Sequence, residues 1–253
     1  MKVSALIPVK GFRNAKQRLS PLLAAADREL LAEVMFRDVL KQVLKARGLV
    51  ETYVVTGDSE VAEIAMSLGA RLIREEVERG ETDAVDFARC ELKQLKREAV
   101  LIIPGDMPLV RSADIEEVLA RVPEGAGSPF AMLVPSHDRM GTNALLLAPP
   151  DIIKLRFGYD SFTYHTSQLS AQGLPLRFIE NERLALDIDE PKDLERFLSF
   201  GFEGGESKRA VRAMERNPAT PIIFVSALDQ RELLQGALES GCDDFIQKPI
   251  HAM

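Results

Sequence analysis

The sequence predicts an α/β protein with a mostly parallel sheet flanked by helices, followed by a short α/β extension. Short apolar runs alternate with segments of helical periodicity over the first hundred residues. Several of these runs end in Pro, Gly or Asp, as strands do where they enter a loop. The first run, 3–9, is almost entirely apolar, which is typical of a parallel strand that is buried on both faces.

The first part of the chain contains the strand and helix alternation on which this prediction depends. Strands are predicted over 3–9, 52–56, 70–73 and 99–103, and helices over 27–46, 61–68 and 83–97. A parallel pair of strands needs a long crossover connection, and a helix between two strands supplies one. The helices should therefore cover the faces of the sheet.

The pattern changes after residue 129. Two apolar runs, 130–135 and 144–148, are separated only by the segment SHDRMGTN, which suits an antiparallel pair at the edge of the sheet. Further helices are predicted over 161–171 and 191–200, and further strands over 176–179 and 184–188.

A second, smaller region is predicted at the C-terminus. The segment FEGGES, 202–207, is typical of a linker and separates a domain at 1–201 from an extension at 208–253. Within the extension, strands are predicted over 221–226 and 244–246, and helices over 207–216 and 229–240. Two strands and their helices are too few for an independent core.

Composition excludes several classes of protein. Of the 253 residues, 46% are apolar, so intrinsic disorder is excluded, and the formal net charge of −7 disfavours bulk nucleic-acid binding. No run of about 18 apolar residues exists, so no membrane-spanning helix is predicted. The N-terminal MKVSALIPVK favours a first strand over a secretion signal, and Cys90 and Cys242 are expected to be reduced structural thiols. We therefore expect a cytoplasmic protein.

A basic loop follows the first predicted strand. Lys10, Gly11, Arg13, Lys16 and Arg18 lie close together just beyond its carboxyl end. Glycine allows the backbone to approach a phosphate, and the cationic side chains neutralise it. In open parallel sheets, ligands bind beyond the carboxyl ends of the strands. A solvated basic loop without a ligand is the alternative, since the segment matches neither a Walker loop nor GxGxxG.

Two acidic sites follow later strands. Asp106 lies in IPGDMPL after the strand at 99–103, and Asp187 and Asp189 lie in LALDIDEP. Residues two apart on an extended segment point the same way, so this pair should face one ligand. Asp106 alone could serve as a turn or helix cap. Together with a phosphate loop, the carboxylates suggest Mg²⁺-assisted chemistry on a nucleoside triphosphate.

Five segments in order now carry a specific resemblance. They are IPVKGFRNAKQRLS, IPGDMPLV, VPSHDRMGTNALLL, FGYDSF and LALDIDEPKDL. Over about residues 1–200, the sequence resembles the 2-phospho-L-lactate or phosphoenolpyruvate guanylyltransferases of coenzyme F-420 biosynthesis. The resemblance implies a GT-A-like fold, similar to nucleotide-diphospho-sugar transferases.

The resemblance also implies a reaction. GMP would pass from GTP to a small phosphorylated acid, either phosphoenolpyruvate, 2-phospho-L-lactate or 3-phosphoglycerate, and pyrophosphate would leave. The acceptor's phosphate is already ionised at pH 7, so no general base is needed. His137 and His165 are accordingly expected to be surface or hydrogen-bonded structural residues.

Residue roles follow from the same match. Lys10, Lys16 and Arg18 would act catalytically by holding the triphosphate, and Gly11 and Arg13 would contact the nucleotide.

The acidic positions match the family's metal site. Asp106 would be both catalytic and a metal ligand, with Asp187 or Asp189 as the second acidic ligand. Thr142, Gly158 and Ser161 match the family's positions for the phosphorylated acid, although Ser161 could equally be a helix cap.

One segment departs from the family pattern. Residues 81–85, ETDAV, lie where the family has a Gly-Leu-Asn run facing the nucleobase. Thr82 and Asp83 would contact the nucleotide there, with Asp83 in place of the Asn. A carboxylate can accept hydrogen bonds from both the ring N–H and the amino group of guanine. The alternative is that Asp83 is the N-cap of the following helix.

The sequence leaves two alternative functions. The first is another GT-A-like nucleotidyltransferase of the molybdopterin type, against which VPSHDRMGTN and FGYDSF argue. The second is a catalytically idle signalling adaptor, against which the intact Lys16, Asp106 and Asp187 argue.

The extension at 208–253 resembles the second half of a response-regulator receiver domain. Ser226 matches that family's switch hydroxyl and Lys248 its phosphate-contacting lysine. The half that carries the phospho-acceptor aspartate is missing, so phosphorylation by that route is not expected. The extension should dock on the transferase domain or on a second subunit, which would form a homodimer. No nucleic acid or membrane partner is expected.

Overall fold

The computed structural model describes residues 1–77, 80–123, 129–175, 177–201, 205–215, 223–226 and 244–247. They belong to two compact units, Met1–Ser207 and Lys208–Met253. No helix among these residues is long and apolar enough to cross a membrane.

The first unit alternates strands and helices in the predicted order. Its strands are β1 Val3–Pro8, β2 Leu49–Thr56, β3 Arg71–Arg74, β4 Ala99–Ile102, β5 Phe130–Pro135 and β6 Thr142–Ala148. Its helices are α1 Ala25–Lys45, α2 Ser59–Leu68, α3 Glu81–Gln94, α4 Ser112–Ala120, α5 Ser161–Ala171 and α6 Pro191–Ser199, with a single 3-10 turn at Gln17–Leu19. A further helix, α7 Glu206–Glu215, begins at the end of this unit.

The sheet has the strand order β3-β2-β1-β4-β6-β5. β1 pairs in parallel with β2 and β4, and β2 pairs in parallel with β3. β6 is antiparallel to both β4 and β5. The predicted mostly parallel sheet with an antiparallel pair at one side is therefore confirmed. β1 lies inside the sheet and all six of its residues are buried, which explains why its sequence is apolar without alternation.

Two hydrophobic layers cover the sheet. Ile7 and Leu101 belong to the layer packed against α1, α2 and α4, whereas their neighbours Leu6 and Val100 belong to the layer that includes α3 and α5. Successive strand residues point to opposite faces, so one apolar run supplies both layers. Burial of each large side chain contributes about 1.5–3 kcal/mol.

The structure corrects two expectations about the elements of this unit. Helix α4 was not predicted. The strand expected over 184–188 is wrong: the segment is buried at Leu184, Leu186 and Ile188, yet it has no ladder partner. Of the strand expected over 176–179, the described part forms only an isolated bridge between Leu133 and Phe178.

The segment 181–189 is held by loops rather than by the sheet. The backbone amide of Ala185 donates to the Asn181 carbonyl, and that of His137 donates to the Ala185 carbonyl. At the far end, the Ile188 amide donates to the Asp106 carbonyl. The alternation of apolar residues thus shows that one face of the segment is buried. Its backbone amides and carbonyls form hydrogen bonds with loops and not with a neighbouring strand.

A buried carboxylate anchors the start of this segment. Asp114 on α4 is 1% exposed and accepts hydrogen bonds from Arg183 Nε at 2.8 Å and Asn181 Nδ2 at 2.9 Å. Burial acts to raise the pKa of Asp114, but these hydrogen bonds outweigh it and lower the pKa below its usual value. Asp114 is therefore ionised and depends on these two side chains and on the backbone amide of Arg111, which also donates to it.

The second unit contains β7 Ile223–Ser226 and β8 Asp244–Gln247, which pair in parallel. These strands lie where strands were predicted. The helix expected over 229–240 and Lys248 lie outside the described residues, so the receiver resemblance remains a prediction.

Arg183→Leu should destabilise the protein by about 2–4 kcal/mol, because it leaves the Asp114 carboxylate buried without its cation. Urea unfolding would measure this loss. The control is Arg121→Leu, which removes the exposed ion pair between Arg121 and Glu117 and should change the free energy of unfolding by less than about 1 kcal/mol. Equal losses in the two variants would contradict the anchoring role.

Candidate active site

The carboxyl ends of the parallel strands border a cavity of about 630 Å³. The loop after β1 forms one wall, the ends of β2 and β3 contribute Asp58 and Glu75, and the loop after β4 contributes Asp106. This is the edge at which open parallel sheets bind ligands. We call it the first cavity.

Lys16 joins the basic loop to the acidic segments. Its Nζ lies 2.6 Å from Asp106 Oδ2 and 2.8 Å from Asp189 Oδ1, and its side chain is 9% exposed. Its backbone is left-handed, with φ 51° and ψ 43°. Burial acts to lower the pKa of Lys16, but the two carboxylates outweigh it and raise that pKa above its usual value. Lys16 is therefore a permanent cation.

Asp187 completes a cluster of carboxylates with Asp106 and Asp189. Burial, and then the charges of Asp106 and Asp189, raise the pKa of Asp187 to about 7. Asn143 Nδ2 donates to Asp187 Oδ1 at 3.1 Å. Asp106 Oδ1 is buried and has no hydrogen-bond partner in the described part of the chain. The cluster therefore holds more negative charge than its own hydrogen bonds compensate.

The uncompensated negative charge of the carboxylate cluster suits a divalent cation. Hard cations such as Mg²⁺ take carboxylate oxygens together with phosphate oxygens and water. No three acidic, histidine or cysteine side chains of the described residues form a ready-made metal centre. Asp106 Oδ1 has no hydrogen-bond partner among the described residues, and the raised pKa of Asp187 shows that its negative charge is poorly compensated. Both features suit a cation that takes its remaining ligands from a bound phosphate.

A second cavity, of about 620 Å³, adjoins the first. Glu81, Pro104, Asp106 and Asp189 line both cavities. The carboxylates thus lie at the boundary between two ligand-sized spaces.

The structure brings most of the predicted residues to these cavities. The first is lined by Lys10, Gly11, Arg13 and Lys16, and the second by Arg18, Thr142, Gly158, Ser161 and Asp187. Asp106 and Asp189 belong to both walls. Arg18 was expected beside Lys10 and Lys16 at the triphosphate, but it lines the second cavity instead. The binding and catalytic roles of the other residues stay expectations.

Thr82 and Asp83 are not in either cavity wall. Thr82 Oγ1 instead accepts a hydrogen bond from the Phe157 amide at 3.0 Å, and Asp83 is exposed. The N-cap alternative for Asp83 is wrong as well, because α3 begins at Glu81 and its N-cap is Gly80. This earlier start of the helix puts Glu81 into the cavity and leaves Asp83 outside.

Three acidic residues of the site were not predicted. Asp58 caps α2 by accepting from the Glu60 and Val61 amides, and its Oδ2 would lie 2.5 Å from a Cβ added at Gly11. Only glycine fits that approach, and the Gly-Asp that follows TYVVT is a signal that could have revealed it. Glu75 has no comparable signal.

Glu81 is the third of these residues. Burial, and then the charge of Asp106, raise the pKa of Glu81 to about 7, with Lys10 opposing the shift. In the sequence it is one of several acidic residues around a helix start, so nothing distinguishes it.

Asp187→Asn should stabilise the protein without divalent cations, by about 1–3 kcal/mol above pH 7. The pKa of Asp187 is raised from 3.8 to about 7 in the folded state, so ionisation opposes folding once the pH exceeds the unfolded value. The gain should be greatest above pH 7 and should vanish as the pH falls toward 4. Thermal unfolding across this range would measure it.

The control for this variant is Asp83→Asn, which removes the same charge from an exposed position. If both variants show the same pH dependence, the carboxylate cluster is not the source of the effect.

The chain was then compared with known proteins. The family described as "Guanylyl transferase CofC like" matches residues 3–216. The chain is 37% identical over 201 residues to the phosphoenolpyruvate guanylyltransferase of Rubrobacter xylanophilus, covering 79% of this chain and 96% of that protein. It is 34% identical over 218 residues to the 2-phospho-L-lactate guanylyltransferase of Methanothermobacter thermautotrophicus, covering 85% and 92%.

Solved structures agree on the fold. A protein of Desulfovibrio desulfuricans G20, classed as a nucleotide-diphospho-sugar transferase, superposes with a TM-score of 0.68 at 16% identity, over 85% of this chain and 96% of that one. A cytidylyltransferase of Leptospira borgpetersenii gives a TM-score of 0.53 at 14% identity, over 87% and 96%. At these identities the likeness shows the fold alone, and it confirms the predicted GT-A-like class.

The profile match covers most of the chain, and the relatives exceed 30% identity over more than two thirds of it. The family predicted from the five motifs is confirmed: the chain belongs to the CofC-like guanylyltransferases.

Proposed function

We propose that this nucleotidyltransferase transfers GMP from GTP to a small phosphorylated carboxylic acid and releases pyrophosphate. One observation carries the proposal: Asp106 and Asp189 line both cavities, so one acidic boundary can serve both substrates. The basic loop suits the triphosphate of GTP in the first cavity, and the second cavity has the size and polar lining for an acceptor.

The acceptor's phosphate oxygen would be the nucleophile. It attacks the α-phosphorus of GTP and forms a new P–O bond, while the bond from the α-phosphorus to the bridging oxygen breaks and its electron pair leaves on pyrophosphate. The phosphate is already ionised at pH 7, so the protein need not remove a proton. Catalysis then depends on alignment of the two substrates and on neutralisation of charge by Lys10, Lys16 and Arg13.

Asp106, with Asp187 or Asp189 as the second ligand, would hold Mg²⁺. When bound, this cation would supply Lewis-acid stabilisation of the negative charge on the reacting phosphates. The side chains themselves orient the site: Asn143 fixes Asp187, and Lys16 fixes Asp189.

The acceptor is one of three closely related acids: phosphoenolpyruvate, 2-phospho-L-lactate or 3-phosphoglycerate. We assign the reaction to coenzyme F-420 biosynthesis, in the cytoplasm where GTP is made. The transferase domain is proposed to occupy 1–201, with 202–207 as linker. A homodimer through the extension at 208–253 stays a prediction.

Pyrophosphate release from GTP should require one of these acids and should be faster than from ATP, CTP or UTP. A coupled pyrophosphate assay with the three acids, and with glycerol 2-phosphate as an acceptor that lacks a carboxylate, would measure it. Release with every phosphate compound alike, or with none, would contradict the proposed function. Transfer only to a molybdopterin acceptor would favour the other nucleotidyltransferase.

The variant Asp106→Asn tests the role of this carboxylate in the same assay. It keeps the volume of the side chain but removes the charge at the boundary, so turnover should fall roughly a thousandfold while the fold survives. Wild-type turnover of this variant at saturating Mg²⁺ would overturn the role of Asp106.

Removal of residues 216–253 should leave GMP transfer within about twofold of the full chain, because the described residues that line the cavities lie no later than Asp193. The stop is placed after α7 because Asp38 accepts hydrogen bonds from the amides of Glu206 and Ser207. The same assay measures it. A folded truncated protein that no longer uses GTP would show that the extension takes part in the chemistry.

A further inference from the structure

A buried histidine lies directly behind the wall of the second cavity. His165, in α5, has no exposed surface, and its Nδ1 lies 3.0 Å from Thr142 Oγ1. On the other side of the ring, Nε2 lies 3.2 Å from the backbone amide of Arg156. Thr142 lines the cavity, whereas His165 does not. The histidine can therefore act on a ligand only indirectly, and Thr142 is the cavity-lining side chain to which it is hydrogen-bonded.

The position of the single ring proton follows from these contacts. The Arg156 amide can only donate, so Nε2 must be the acceptor and carries no proton. Burial, and then the charges of Arg156 and Arg89, lower the pKa of His165 to about 4, so the ring is neutral at pH 7. A neutral imidazole has one N–H, which must lie on Nδ1. His165 thus donates to Thr142 Oγ1.

This donation directs the hydroxyl proton of Thr142. Because Oγ1 accepts from His165, its own proton must be donated elsewhere, and no acceptor for it occurs among the described residues. Ser161 is in the same condition, since its Oγ accepts from the Thr142 amide at 3.0 Å. Thr142 and Ser161 are 5% and 1% exposed and both line the cavity. We call these two hydroxyls the donor pair: each has a proton to donate, and both residues line the space for the acceptor.

A donor pair of this kind selects the chemistry of its ligand. Two donated protons fit an oxygen that carries no hydrogen, as in a phosphate or a carboxylate, and such charge-assisted hydrogen bonds are about twice as strong as neutral ones. A ligand hydroxyl could also accept both protons, but its oxygen carries no negative charge and the two bonds would be weaker. The preference is fixed before the ligand arrives, because the histidine has only one arrangement.

We propose that His165 is a positioning residue, which fixes the Thr142 hydroxyl as a donor to an anionic oxygen of the phosphorylated acid. The inference rests on the proposed function for the identity of that acid. The bond between His165 and Thr142 belongs to the protein itself and can be tested without any substrate.

Three variants separate this role from simple support of the loop at Arg156. His165→Asn keeps a donor near the position of Nδ1, His165→Gln keeps an acceptor near the position of Nε2, and His165→Phe keeps neither. We expect KM for the acid to rise about tenfold in the Phe and Gln variants, with KM for GTP within twofold, and to stay near the wild-type value in the Asn variant. Ser167→Ala, in the same helix, is the control.

The opposite order of KM values between the Asn and Gln variants would overturn the proposal. If Gln preserves KM for the acid and Asn does not, the bond to Arg156 is what matters. In the background of Thr142→Val, which has no hydroxyl, His165→Phe should add little further to KM. Additive effects would also contradict transmission through Thr142.

A second measurement does not depend on the variants folding. The chain has three histidines, so ¹⁵N-resolved NMR of the wild-type protein can assign the ring of His165. The expected result is a neutral ring protonated on Nδ1 from pH 7 down to about pH 5. A ring protonated on Nε2 would overturn the proposal even if GMP transfer is confirmed. If the wild-type protein shows no GMP transfer, the proposed function is overturned instead.

The identity of the anionic group is read from a further arm of the kinetic test. Glycerol 2-phosphate, which lacks the carboxylate, serves here as a competitive inhibitor against the acid. If His165→Phe weakens this inhibition about tenfold, the donor pair is assigned to phosphate, and if the inhibition is unchanged while KM for the acid rises, the pair is assigned to the carboxylate. Both results support the proposal, whereas no effect on either the acid or the inhibitor contradicts it.

Discussion

The ion pairs of Lys16 with Asp106 and Asp189 are the interaction on which the site depends. Carboxylates this close repel each other, and each loses hydration as the unit folds. A buried cation held within 3 Å of both makes the arrangement tolerable. It also fixes the basic loop, the end of β4 and the segment 181–189 relative to one another. Three distant parts of the chain thus meet at one nitrogen.

The sequence predicted the sheet well because burial and pairing coincide there. β1 and β4 are apolar at every position except the buried Ser4, so their assignment needed no tertiary information. The segment 184–188 shows the limit of that reasoning. Leu184, Leu186 and Ile188 alternate as a strand would, but the backbone between them bonds to Asn181, to the loop at His137 and to Asp106. An apolar pattern indicates which face of a segment is buried, but it does not indicate which groups the backbone amides bond to.

The site was predictable where chemistry and strand ends coincide, as for Lys16 and Asp106. It was not predictable at the start of α3, where a shift of two residues exchanges Glu81 for Asp83 in the cavity wall. Propensity defines helix boundaries too loosely to decide which of several acidic neighbours faces inward. His165 is a different case: its place in the helix was evident, but its effect on Thr142 depends on a proton that only the hydrogen-bond geometry locates.

The sequence separation of the Lys16 contacts has a consequence for synthesis of the protein. Asp106 and Asp189 lie 90 and 173 residues after Lys16. At about 5–20 residues per second, the ribosome needs roughly 10–35 s to pass from the lysine to its second partner. Lys16 can pair with Asp106 about halfway through that interval, whereas its bond to Asp189 must wait until the segment 181–189 has been made. The carboxylate cluster is therefore incomplete in a nascent chain until this late segment has left the ribosome.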